Sequence, residues 1–432
     1  MKLIFLYKQT KNSILLILMG FVVVASIFSG CASSENVSNK NVAGIYLPGV
    51  NLLEPDYKVF HENDTLTNIY FRLKAENLLY TRKRDDSTFT ANVQVRYVLK
   101  DSENQLIDSS TIYFVDYGQN NTKKYVEGIV PIETMLNKNY DLIISFYDVN
   151  RDNFLKKKIA INRTSVHGAQ NFIAKDSIGN IVYKSYFSVG EKVIVQKSLS
   201  NSSNEIVLKY FFVNQPLAKP PFSETEKMEN LILSPDSSTI LVLDSLNIVC
   251  FDIPSKGLYI MQTNESINEG PTFFSFQNNF PEIKDVENMI EPMRYITTKE
   301  EYANLLAAEN KKNAMDQFWL EIAGGTERAR ILIKEYFNRV ESANYYFTSY
   351  LEGWKSDRGL IYIIYGPPNV VYKNKDYENW IYGEEGNITS MNFIFYRVRN
   401  YLTFNDYSLS RSAMYKSTWY RAVDTWRSGR IF

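Results

Sequence analysis

Between about residues 55 and 165 the apolar positions recur at every second residue. Val93, Val95 and Tyr97 alternate with Gln94 and Arg96, Asp101-Ser102-Glu103-Asn104 supplies a turn, and residues 106–114 return as a partner strand. Residues 141–147 and 154–161 make another pair around Val149-Asn150-Arg151-Asp152. Short alternating strands joined by polar turns predict an antiparallel β-sandwich of immunoglobulin-like size over 55–165. A second β-rich stretch covers 166–280, with its clearest strands at 192–196, 205–213, 240–243 and 258–263. Pro216, Pro220, Pro221 and Pro235 mark loops or edges within it. Lys256-Gly257 reads as a hairpin turn, and a second sandwich is the simplest arrangement.

After Pro281 the apolar period lengthens to that of a helix. Thr298-Lys299-Glu300-Glu301 is a capping box opening a helix with Tyr302, Leu305 and Leu306 on one face. Gly324-Gly325 breaks the chain. Ala329, Ile333, Tyr336, Phe337, Val340, Ala343 and Phe347 then form an apolar stripe opposite Arg330, Lys334, Glu335, Asn338 and Arg339. Residues 360–365 are apolar on both faces, which predicts a central strand. Residues 370–372, 377–382 and 391–398 add an antiparallel meander, and Trp419, Val423 and Trp426 a last short helix. The fold class is therefore two antiparallel β-sandwich domains followed by an α+β C-terminal domain over 281–432.

The first 31 residues read as an export signal. Lys2, Lys8 and Lys11 precede an apolar run of 14 residues, Ile14 to Ile27, which is short of the ~20 needed to span a bilayer. Phe28-Ser29-Gly30-Cys31 then resembles a bacterial lipobox, in which Cys31 would be acylated and become the mature N-terminus. An uncleaved signal anchor is the alternative. Acylation would tie a water-soluble chain to a membrane, each buried CH2 contributing about 0.8 kcal/mol. Ala32 stands where an inner-membrane retention aspartate would, so the outer membrane is expected over the inner. The Ser/Asn-rich residues that follow make 32–54 a flexible tether.

Cleavage before Cys31 leaves 45 basic against 48 acidic residues, a net charge of −3. That balance carries no footprint for nucleic acid. With Cys31 lipidated, Cys250 is the one cysteine left and no disulfide is expected. In Asn247-Ile248-Val249-Cys250-Phe251 it reads as a buried strand residue. The chain also holds 31 Tyr and 26 Phe, enough to line half-buried strands or present stacking surfaces.

Gly353-Trp354-Lys355-Ser356-Asp357-Arg358-Gly359 runs into Leu360-Ile361-Tyr362-Ile363-Ile364-Tyr365-Gly366-Pro367-Pro368. With Phe318-Trp319, the helix segment from Glu335 to Asn344, and Tyr377-Glu378-Asn379-Trp380-Ile381-Tyr382, this resembles the GWxTD domain family. That family is found mostly in predicted envelope proteins of Bacteroidota and related bacteria, and it implies no particular reaction. The chain departs from the pattern at Ser356, where the name has Thr, and at Asn369, where an acid is common.

Read from the residues themselves, Gly353 would take a positive φ and Trp354 would cover a helix–sheet core. Ser356 and Asp357 would satisfy backbone N–H groups at the turn, and Arg358 would pair with Asp357 or Glu335. A second reading makes Trp354, Asp357, Arg358 and Arg339 the floor of a recognition site, since Trp and Arg dominate binding hot spots.

Catalytic types are scarce. His61 and His167 have no Cys, Asp or His at ligand spacing, and no nucleophile elbow, P-loop or dinucleotide fingerprint occurs. No metal or organic cofactor is expected. Three roles remain: a lipid-anchored envelope protein that binds a protein partner or acts as a scaffold, a glycan-binding surface lipoprotein, or an envelope hydrolase using Asp357 and another acid.

Overall fold

The computed structural model describes residues 41–48, 53–82, 84, 88–118, 125–199, 204–213, 216–224, 234–264 and 268–431. All belong to a compact unit running from Asn41 to Phe432. The export segment with Cys31, and residues 32–40 of the expected tether, lie outside the described residues.

Seven strands open the described chain: β1 Asp56–His61, β2 Leu66–Lys74, β3 Phe89–Asp101, β4 Leu106–Gly118, β5 Tyr125–Glu133, β6 Asn139–Asp148 and β7 Asn153–Asn162. They form two antiparallel sheets, β1-β2-β5 and β4-β3-β6-β7. Alternation decides which face is buried. In β2, Thr67, Ile69, Phe71 and Leu73 point inward while their neighbours stay accessible, and Ile69, Phe71 and Leu73 share a core with Val93, Val95, Ile144 and Phe146 of the facing sheet.

The next seven strands repeat the plan. They are β8 Phe172–Lys175, β9 Lys192–Lys197, β10 Glu205–Phe211, β11 Ser237–Val242, β12 Ile248–Asp252, β13 Gly257–Gln262 and β14 Thr272–Ser275. The sheets are β11-β10-β13-β14 and β12-β9-β8. Two expectations are corrected here. Lys256-Gly257 is not a hairpin turn, because β12 and β13 belong to different sheets and the turn carries the chain between them. Cys250 is exposed rather than buried. Val249 and Phe251 take the inward positions of β12, so strict alternation puts Cys250 outside.

The rest holds six helices and one sheet. The helices are α1 Val286–Ile290, α2 Lys299–Ala307, α3 Lys311–Ala323, α4 Thr326–Phe347, α5 Asp357–Tyr365 and α6 Tyr415–Arg427. Strands β15 Val370–Lys373, β16 Tyr377–Tyr382, β17 Met391–Arg397 and β18 Tyr407–Leu409 form an antiparallel meander. The capping box of α2 is present, with Thr298 and Glu301 bonding each other's backbone N–H. A smaller cluster of Phe211, Leu258, Ile260, Phe274, Phe276 and Leu402 joins the second sandwich to this region.

Residues 360–365 are helix, not the central strand expected. A run apolar on every side has no period to read. Here every residue from Arg358 to Tyr365 is buried, the condition in which an all-apolar helix is stable. Nor is the whole of 32–54 a tether. Ala43–Tyr46 is a 3-10 turn whose Ala43 and Tyr46 lie in the C-terminal core, and Leu53 lies in the core of the first sandwich.

Candidate functional site

The signature is a junction between α4 and α5. Gly353–Lys355 make a single 3-10 turn. Ser356 then acts as N-cap of α5: its Oγ accepts the Gly359 N–H at 3.0 Å and donates to the Gly353 carbonyl at 2.7 Å. Gly353 does not adopt the positive φ expected of it, since it is absent from the left-handed residues. Its role is close approach: a Cβ there would stand 1.9 Å from the Ala343 carbonyl oxygen on α4. Gly359 repeats the device, with a would-be Cβ 2.0 Å from the Gly353 oxygen.

Trp354 is buried, as the structural reading of the motif expects. Its N–H donates to Asn344 Oδ1 at 3.2 Å, and its carbonyl accepts the Tyr295 hydroxyl at 3.0 Å. Asp357, in the first turn of α5, accepts the Leu409 N–H of β18 at 2.7 Å and is ion-paired with Arg411. A carboxylate at a helix N-terminus is favoured by the dipole. Its oxygens are thus engaged, and an acid or base role would first require Arg411 to leave.

Arg358 pairs with neither Asp357 nor Glu335. It reaches Glu378 on β16 instead, Nη1 to Oε1 at 3.0 Å, with exposures of 1% and 0%. Nη2 donates to the Asn405 carbonyl and side chain at 3.0 and 2.6 Å. The guanidinium also lies over Tyr407 at 4.1 Å and Phe347 at 5.0 Å.

Glu378 has four partners. Oε1 also takes Lys373 Nζ at 2.7 Å, and Oε2 accepts Tyr46 Oη at 2.9 Å and Trp380 Nε1 at 3.0 Å. Burial pushes this carboxyl up, but Arg358 and Lys373 outweigh it and hold it at about 2. A buried ion pair is sustained only by such additional bonds. Burial also lifts Asp406 to about 6, against the pull of the same Arg358.

Arg339 is not on the solvent face of α4. It is buried, bonds Glu335 at 2.9 Å, and donates to the Ile363 and Ile364 carbonyls at 3.3 and 3.4 Å. It therefore satisfies the last carbonyls of α5, helped by Trp426 Nε1 on Ile364 at 3.0 Å. This end is roughly 10 Å along the helix axis from Ser356. The structure thus gathers Gly353, Trp354, Ser356, Asp357 and Arg358 at one end of α5 and leaves Arg339 at the other.

Glu378, Asn405 and Tyr46 went unrecognised in the sequence. The signal for Glu378 was present: in Tyr377-Glu378-Asn379-Trp380-Ile381-Tyr382 it shares the parity of Trp380 and Tyr382, so an acid falls on the buried face. His61 is buried in the first sandwich. Its Nε2 donates to the Asn162 carbonyl at 3.0 Å, which leaves Nδ1 to accept from Thr67 at 2.9 Å. His167 contacts Thr263. Among the described residues no group of three or more His, Cys, Asp or Glu side chains is placed to hold a metal ion.

Residues 257–428 match the family model of the GWxTD domain. The match begins at β13 and so takes in the last two strands of the second sandwich. No curated protein matches the chain. Among solved structures, two titled as glycosyl hydrolase family 2 members from Bacteroides cellulosilyticus are similar, at 10% and 11% identity and a TM-score of 0.18 in each. Both cover 31% of this chain, which spans 17% and 18% of theirs. A structure titled pT26-6p covers 75% of this chain and 87% of its own at 9% identity and a TM-score of 0.15. Scores this low carry no argument about fold or role.

Proposed function

This chain carries a GWxTD domain over residues 257–428, and on that premise we propose that it is a lipid-anchored envelope protein with a non-enzymatic, partner-binding or scaffolding role. The anchor is the acylated Cys31, the outer membrane its site, and the periplasmic or outer side its compartment. The observation that carries the non-enzymatic reading is the state of the signature. Its polar side chains are bonded within the protein: Ser356 to a helix end, Asp357 to Arg411 and Leu409, Arg358 to Glu378 and Asn405.

Crosslinked affinity purification from native envelope, comparing the full chain with a folded Asp357→Asn variant, tests this reading. A partner retained by both supports a scaffold whose docking surface lies outside the signature. No partner in either counts against it.

Glycan binding is a second reading, supported by one surface. On the outward face of β4-β3-β6-β7, Tyr113 and Phe154 are exposed, and Tyr147 stacks on Phe154 with centroids 5.0 Å apart. Gln94 lies between Tyr113 and Tyr147 in register. Rings with an amide beside them suit a sugar face. Silence on an array of envelope and dietary polysaccharides would remove this reading.

A further inference from the structure

Residues 41–47 bond to and pack on residues 300 or more positions away in the C-terminal domain, as a peptide ligand would. Asn41 holds the rim of the edge strand β15. Its Oδ1 accepts the Val371 N–H at 3.0 Å and its Nδ2 donates to the Asn369 carbonyl at 3.3 Å. The Val42 N–H donates to the Val371 carbonyl at 2.9 Å, so one main-chain bond and the Asn41 side chain together occupy the open edge of β15.

Five residues after Asn41, Tyr46 enters the core at 3% exposure. Its ring packs against Phe347 and Trp380 at 5.2 Å each and Tyr346 at 5.6 Å. Its carbonyl accepts the Tyr362 hydroxyl at 2.8 Å, and its own hydroxyl donates to Glu378 at 2.9 Å. Ala43, between the two anchors, is buried in the same core.

We propose that the signature builds a peptide-recognition site, filled here in cis by Asn41–Leu47, in which Arg358 fixes the Glu378 carboxylate that reads the tyrosine hydroxyl. The ligand class is a peptide that closes a 3-10 turn, with Asn first, a small residue two positions on, and Tyr at the sixth position. Lys373, Arg358 and Trp380 remain on Glu378 when the peptide leaves, so release does not strand a buried charge. This inference rests neither on the lipid anchor nor on an external partner.

The test uses a fluorescent synthetic peptide of residues 41–48 added to the full chain and to a full-length Tyr46→Ala variant. The variant should bind it saturably. The wild type should bind at least about tenfold more weakly, because its own segment competes at the high effective concentration of a tethered ligand. A peptide with Phe in place of Tyr should lose about tenfold or more, the value of a hydrogen bond to a charged acceptor. Absence of binding by a folded Tyr46→Ala chain, equal binding by wild type, or an equally good Phe peptide would overturn the proposal.

Should Tyr46→Ala not fold, hydrogen exchange on full-length Tyr46→Phe decides the matter. Val42 and Val371 amides should exchange about tenfold faster than in wild type, and unchanged rates would overturn it.

Discussion

Gly359 stands over Gly353 so closely that a Cβ on the first would come within 2.0 Å of the carbonyl oxygen of the second. Neither glycine is in the left-handed region. The glycine pair in Gly353-Trp354-Lys355-Ser356-Asp357-Arg358-Gly359 is therefore about space, letting the 3-10 turn fold back on α5 while pressed to α4. Ala at either position must push backbone against backbone. Gly353→Ala and Gly359→Ala should each lose about 1–3 kcal/mol or more, the cost of overpacking, measured as urea midpoints. Wild-type midpoints would refute the close approach.

Trp354, within the same turn, is buried with its ring edge-on to Tyr295. Trp354→Ala should destabilise the chain by about 3–5 kcal/mol, the range for removing a large buried aromatic. An unchanged thermal transition would place the indole at the surface and revive the hot-spot reading.

The helices and strands with a clear period were legible in the sequence. The stripe on α4, the capping box at Thr298 and the meander after Pro368 follow from patterning alone. Residues 360–365 did not, because a segment buried all round looks alike as strand or helix, and only Ser356 as N-cap and Gly366 at the end mark it as a short helix. Pairing was the least legible. Arg358, Asp357 and Arg339 each found a partner other than the nearest in sequence or went on to cap a helix, since long-range contact leaves no local trace. Tyr46 looked like linker for the same reason.

Cys250 provides a check on the second sandwich. Alternation in β12 leaves its thiol outward, so a maleimide should label the native chain as completely as the urea-unfolded one. Labelling only after unfolding would mean that β12 is in the other register, since a shift of one residue exchanges its faces.

His61 makes the first sandwich sensitive to acid. Burial, with Arg163 nearby, lowers it from 6.5 to about 4. The folded state refuses a proton that the unfolded chain accepts, so this contribution is full above pH 6.5 and is lost as pH falls from 6.5 toward 4. In that window His61→Gln should have a stability–pH slope flatter than wild type by up to about 1.4 kcal/mol per pH unit. Identical slopes would show that His61 titrates normally.

At the centre of the account is the bond between Arg358 and Glu378, which makes the signature an internal framework. A double-mutant cycle of Arg358→Met and Glu378→Leu in urea measures it directly. Each single change leaves a buried charge without its main partner and should cost about 3–5 kcal/mol, while the pair changed together should cost much less than their sum. A coupling of about 2 kcal/mol or more is the predicted result. Additivity within about 0.5 kcal/mol would contradict the pairing and return Arg358 to the list of residues free to meet a partner.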